Sequence, residues 1–146
     1  MARDQQETTL KTTVAAALAL ACLSAHAEDV SPAIRSCHTY ATPGEFISLT
    51  AAPKSKPHMT DGVAYFKPRA GVTFNGDPVV AVYAYGHDVP YPAGVKHPAA
   101  DTYGYGVVVE GTIAFGMMQV KGSPAHVTTS PVAVPGHEFV EIGCND

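Results

Sequence analysis

Proline and glycine punctuate this chain at close intervals. Twelve Pro and thirteen Gly are spread through 146 residues, and Val, Tyr, Phe, Ile and Thr fill the stretches between them. Breaks about every ten residues leave little room for long helices and suit many short, half-buried strands. After Glu28 no stretch sustains an apolar repeat at i, i+3, i+4 and i+7, so at most a short turn of helix is expected. The predicted class is all-β: a small single-domain β-sandwich, with a partly open β-barrel as the alternative.

The one long apolar run lies before that region. Val14 to Leu23 is followed by Ala25-His26-Ala27 and then Glu28. This is the h-region and A-x-A cleavage order of a secretory signal, and the run is too short to span a bilayer. Residues 1–27 are therefore expected to be a cleaved signal peptide and 28–146 a single β-rich domain, periplasmic or secreted. Ala19-Leu20-Ala21-Cys22 loosely resembles a bacterial lipobox, which gives a lipoprotein anchored at Cys22 as the alternative.

Cleavage after Ala27 removes Cys22 and leaves Cys37 and Cys144, 107 residues apart. Two thiols in an oxidising compartment predict one disulfide joining the ends of the domain. Closing a loop of that length is worth about 4 to 5 kcal/mol in the chain-entropy model.

Setting aside Arg3, Lys11, Asp4 and Glu7 leaves seven basic and eleven acidic residues, a net charge of −4. No basic cluster exceeds Lys54-Ser55-Lys56 or Lys67-Pro68-Arg69, which argues against nucleic acid and against an anionic membrane surface. No segment after Glu28 is apolar for long enough to cross a membrane as a helix.

The clearest strand runs from Val107 to Phe115, with Val107, Val109, Ile113 and Phe115 on one face and Gly111 as the place for a bulge or for the close approach of another backbone. Gly71 to Phe74, Asn75-Gly76 and Val79 to Tyr85 read as a hairpin, because a type I′ turn needs positive φ at both central residues. In its second arm Val80, Val82 and Ala84 share one face, and Tyr83 and Tyr85 the other. Weaker strands are expected at Glu45 to Leu49, Val63 to Lys67, Ala125 to Thr129 and His137 to Ile142. The last continues the face of Val140 and Ile142 to Cys144, turning the cysteine inward.

Between the two best strands lies a connection from Gly86 to Gly106 that is rich in Tyr, His and Pro. A loop this long in a compact domain is usually functional or disordered, and its three tyrosines favour order. Tyr83, Tyr85, Tyr91, Tyr103 and Tyr105 fall within or beside it, together with His87, Asp88 and His97. Tyrosine offers large contact area at low entropic cost, so these eight residues form the predicted binding surface.

Six histidines remain after residue 27, but they are scattered singly, with no His-x-His and no His-Glu-x-x-His. A zinc or copper site is the less favoured alternative, with His87 and His97 as its candidates; otherwise no cofactor is expected. A blue-copper centre needs Cys, His and Met in one loop; Cys37-His38 has no Met nearby, and Cys144 is followed only by Asn145-Asp146. No Gly-x-Ser-x-Gly, phosphate loop or dinucleotide glycine pattern occurs, and no catalytic residue stands out. The expected function is a non-enzymatic binding module that engages a protein or glycan through the 86–106 loop. The alternatives are a metal-handling protein, or a small hydrolase or lyase whose site is assembled only by folding.

Overall fold

The computed structural model describes residues 28–145; the segment read as a signal peptide lies outside them. Seven strands, β1 (His58–Thr60), β2 (Val63–Phe66), β3 (Thr73–Phe74), β4 (Asp77–Tyr85), β5 (Gly104–Glu110), β6 (His126–Thr129) and β7 (Phe139–Asn145), pair antiparallel in the order β1-β2-β4-β5-β7-β6, with β3 alongside the start of β4. The all-β class expected from the Pro and Gly spacing is what forms. So is the disulfide, with Cys37 and Cys144 bonded and their Cα atoms 5.5 Å apart.

The hairpin also stands as read: Asn75 and Gly76 both take positive φ, 50° and 83°, between β3 and β4. In β4, however, the register shifts between Val79 and Ala81, so a bulge at Val80 turns that side chain outward at 41% exposure. Val79, Val82 and Ala84 face the main core instead of Val80, Val82 and Ala84.

Helix is more abundant than expected, in three short pieces: α1 (Ser31–Ser36), α2 (Pro43–Thr50) and α3 (Ile113–Gln119). The predicted strand at Glu45 to Leu49 is the middle of α2. Thr42 accepts a hydrogen bond from the Glu45 N–H at 3.1 Å, Pro43 occupies the first turn, and the Glu45 carboxylate accepts the Ala41 N–H at 2.6 Å. These contacts satisfy the orphan donors of a helix start and outweigh the strand propensity of Phe46 and Ile47. The predicted strand from Val107 to Phe115 likewise stops at Glu110. Gly111 turns the chain with φ 152°, Thr112 caps the Phe115 N–H at 3.1 Å, and the backbone continues as α3.

The helices contribute their buried residues to one face of the sheet. Ile34 from α1 and Phe46 and Ile47 from α2 join Phe66, Val82, Val107, Val109, Val140 and Ile142 in the main core, with Phe115 of α3 packed against it. The opposite face carries a smaller cluster of Tyr65, Tyr83 and Val108, against which Val132 and Phe139 pack.

Candidate functional site

Of the eight residues expected to form a binding surface, two belong to the interior. Tyr83 is 2% exposed and Tyr105 4%. Tyr105 packs against Phe46, with ring centroids 4.9 Å apart, in the helix-covered core. Tyr83 lies on the other face, across Gly106 and Gly143, where a Cβ on either glycine would collide with its hydroxyl. Both are withdrawn from the surface because the sheet register turns them onto packed faces. Tyr105 sits within β5, so the connection itself is Gly86 to Tyr103.

The other six lie at or near the surface, and several hold the loop in place. Tyr85 is half-buried over Gly104 and bonds Asn145. The Tyr91 hydroxyl accepts the Gly86 N–H at 3.1 Å and donates to the Gly62 carbonyl at 3.2 Å; burial raises its pKa. His97 packs edge-on to the Tyr91 ring at 4.7 Å. The Asp88 carboxylate accepts the Gly44 N–H at 3.1 Å, tying the loop to α2. His87 and Tyr103 are exposed. Among the described residues no three His, Cys, Asp or Glu side chains converge as a metal site would require, so nothing further supports His87 and His97 as ligands.

A sizeable concavity lies elsewhere. A groove of about 730 Å³ runs between the start of α3 and the segment 129–140. Its walls are mainly apolar, including Ile113, Ala114, Val132, Val134 and Phe139, and no Lys or Arg is among the described residues lining it. An adjoining hollow shares His137 and Glu138 and brings in Glu110. His137 Nδ1 lies 2.6 Å from the Glu110 carboxylate, and its ring stacks on Phe139 with centroids 6.2 Å apart. This pair ties the turn before β7 to the end of β5 and leaves Nε2 as the ring's remaining nitrogen. Both side chains are exposed.

Beside the groove, α3 presents an uncharged face to solvent. Met117 is 61% exposed and Met118 75%, with Ile113 one turn from Met117. Only Gly116 of this helix is fully buried, at a point where a Cβ would meet the side chains of Val127 and Val140. Exposed apolar side chains gathered in this way mark interaction surfaces, and methionine adapts to varied partners. The sequence reading missed this helix because Ile113, Phe115 and Met117 also alternate as a strand would. The signal that could have found it is Thr112 after a glycine, a cap residue ahead of the good helix formers Met117-Met118-Gln119.

A second group also escaped the sequence reading. On the sheet face carrying Tyr83, the Tyr65 hydroxyl donates to Glu141, whose other oxygen lies 3.4 Å from the Thr128 hydroxyl. Burial raises the Glu141 pKa against the opposing effect of these two bonds. Burial, followed by the bond to Glu141, pushes the Tyr65 phenol far up. Burial lowers the His126 pKa, and neither His126 Nδ1 nor the Tyr83 hydroxyl has a hydrogen-bond partner among the described residues. Pairing places Tyr83, Gly106, Gly143 and His126 in one row across four strands. No family model matches this chain, and no curated protein and no solved structure matches it either.

Proposed function

We propose that this is an exported, non-enzymatic binding module that docks an apolar segment of a partner protein, flanked by Lys or Arg, on the groove beside α3. The observation that carries this reading is the uncharged outer face of α3, with Met117 and Met118 the most exposed large apolar residues of the described chain. The groove next to it supplies apolar walls, and the carboxylates Glu110 and Glu138 at its rim favour a basic flank. The disulfide fits an oxidising compartment, and no helix among the described residues is long and apolar enough to cross a membrane. Recognition is assigned here rather than to the 86–106 loop because Tyr91 and Asp88 spend their polar atoms on holding that loop to the body of the protein.

A photo-crosslinker at Met118 of the mature protein, disulfide intact, tests the assignment in an envelope fraction. The expected product joins Met118 to an apolar segment bearing Lys or Arg, weakens as salt screens the charges, and falls about tenfold or more with Met117→Glu. Crosslinking of one copy of this chain to another would overturn the reading. So would efficient capture from a probe in the 86–106 loop that ignores Met117→Glu.

A further inference from the structure

A second cavity lies at the far end of β5 and β7 from the groove. Its walls come from the α1–α2 connection, the start of β5 and the end of β7, and it encloses about 380 Å³. That is within the range of small-ligand pockets. Six strand steps separate Gly104 from Glu110, so the two concavities stand about 20 Å apart.

Three tyrosines line it: Tyr40, Tyr103 and Tyr105. The Tyr40 and Tyr105 rings stand perpendicular, at 88° with centroids 5.7 Å apart, and Phe46 backs Tyr105. The Tyr105 hydroxyl is buried without a hydrogen-bond partner among the described residues. Leaving such a group unpaired is costly, and an incoming hydroxyl that both donates and accepts would restore the missing hydrogen bond. Thr42 and Asn145 add further polar groups to the lining, which holds no Lys, Arg, Asp or Glu. Burial first, and then the nearby Glu28 and Glu45, raises the Tyr40 phenol; burial and Glu45 do the same for Tyr105. The surroundings are therefore unfavourable to an anion. The Cys37–Cys144 disulfide forms part of the wall.

We propose that this cavity binds a neutral saccharide ring, stacked on its tyrosines and hydrogen-bonded to the Tyr105 hydroxyl. Ring C–H groups suit the aromatic walls, and sugar hydroxyls suit a lining whose polar groups are hydroxyls, the Asn145 amide and the His38 imidazole. The site is separate from the groove beside α3 and stands or falls without it.

Calorimetry and ring-proton NMR of the mature, disulfide-bonded protein decide the matter, with glucose, N-acetylglucosamine and its short oligomers as neutral probes. N-acetylneuraminic acid serves as an acidic probe and tetramethylammonium as a cationic one. A neutral saccharide is expected to bind saturably and to shift the resonances of Tyr40 and Tyr103. Tyr105→Phe, which keeps the ring in the core, should weaken binding about five- to tenfold, and Tyr103→Ala by about tenfold or more. Met117→Glu should leave it unchanged, which separates this site from the docking groove. No saturable binding of any neutral saccharide would overturn the proposal. So would binding untouched by Tyr105→Phe and Tyr103→Ala, or binding of tetramethylammonium alone.

Discussion

The two faces of the sheet meet the same packing problem with different chemistry. The helix-covered face buries Phe46, Ile34, Val82, Val107, Val109 and Ile142 almost completely, in a mainly apolar core where the buried Thr50 hydroxyl is satisfied by the Phe46 carbonyl and the Tyr105 hydroxyl has no partner among the described residues. On the other face no helix among the described residues joins the packed cluster. That face sets the Tyr83 hydroxyl over Gly106 and Gly143 and the Tyr85 ring over Gly104, and places Tyr65, Glu141 and His126 among them. Apolar volume holds the first face together; the second depends on the absence of side chains at three glycines and on hydrogen bonds to half-buried groups. The first should respond to cavities, the second to added methyls, lost hydroxyls and pH.

The sharpest contrast comes from Phe46→Ala, which empties the centre of the helix-covered core and should cost about 3 to 5 kcal/mol in urea unfolding. A loss below about 1 kcal/mol would mean that α2 is not integral to that core. Gly143→Ala is the matching challenge to the other face. Its methyl would land on the Tyr83 hydroxyl and the Tyr105 carbonyl, so a loss of about 1 to 3 kcal/mol is expected despite the gain in strand propensity. An unchanged midpoint would show that the tyrosine does not lie across the glycine.

Two hydroxyl deletions refine the comparison within one face. Tyr65→Phe removes the donor to Glu141 and should cost about 1 to 2 kcal/mol. Tyr83→Phe removes a hydroxyl with no partner among the described residues and should be neutral or slightly stabilising. Equal losses in the two thermal melts would refute the distinction.

The smallest effect expected is in pH dependence. Burial holds the folded pKa of His126 below the reference of 6.5, so as pH falls through that value the unfolded chain takes up the proton first and stability drops. Glu141 runs the other way: its folded pKa is raised above 4.5, so lowering the pH from its folded value toward 4.5 favours the native state. Unfolding midpoints measured from pH 7.5 to 5.5 should decline, and His126→Gln should flatten that decline. A slope that survives the substitution would place the responsible group elsewhere.

Where a local rule acts alone, the sequence predicts the structure well. Asn75-Gly76 fixes the hairpin because only a turn with two positive φ angles joins its arms, and the alternation of Val140, Ile142 and Cys144 matches the inward face of β7. Where two local rules compete, periodicity misleads. Glu45 to Leu49 contains strand formers, yet Thr42-Pro43-Gly44-Glu45 is also a helix-start pattern, and the capping bonds prevail. Ile113, Phe115 and Met117 alternate, yet Gly111 and Thr112 end the strand before they are reached. The bulge at Val80 has no local mark, since it is set by the register of β4 against β5.

By itself, then, the sequence determined the all-β class, the Asn-Gly hairpin and the pair of cysteines that close the domain, because each follows from near-neighbour backbone sterics or from simple counting. Only the tertiary structure decided which tyrosines are buried, that α3 turns its methionines outward, and that Tyr83 and His126 share a row with two glycines between them. Those outcomes depend on strand register and order, which bring together residues tens of positions apart, and a one-residue shift would send every such side chain to the opposite face.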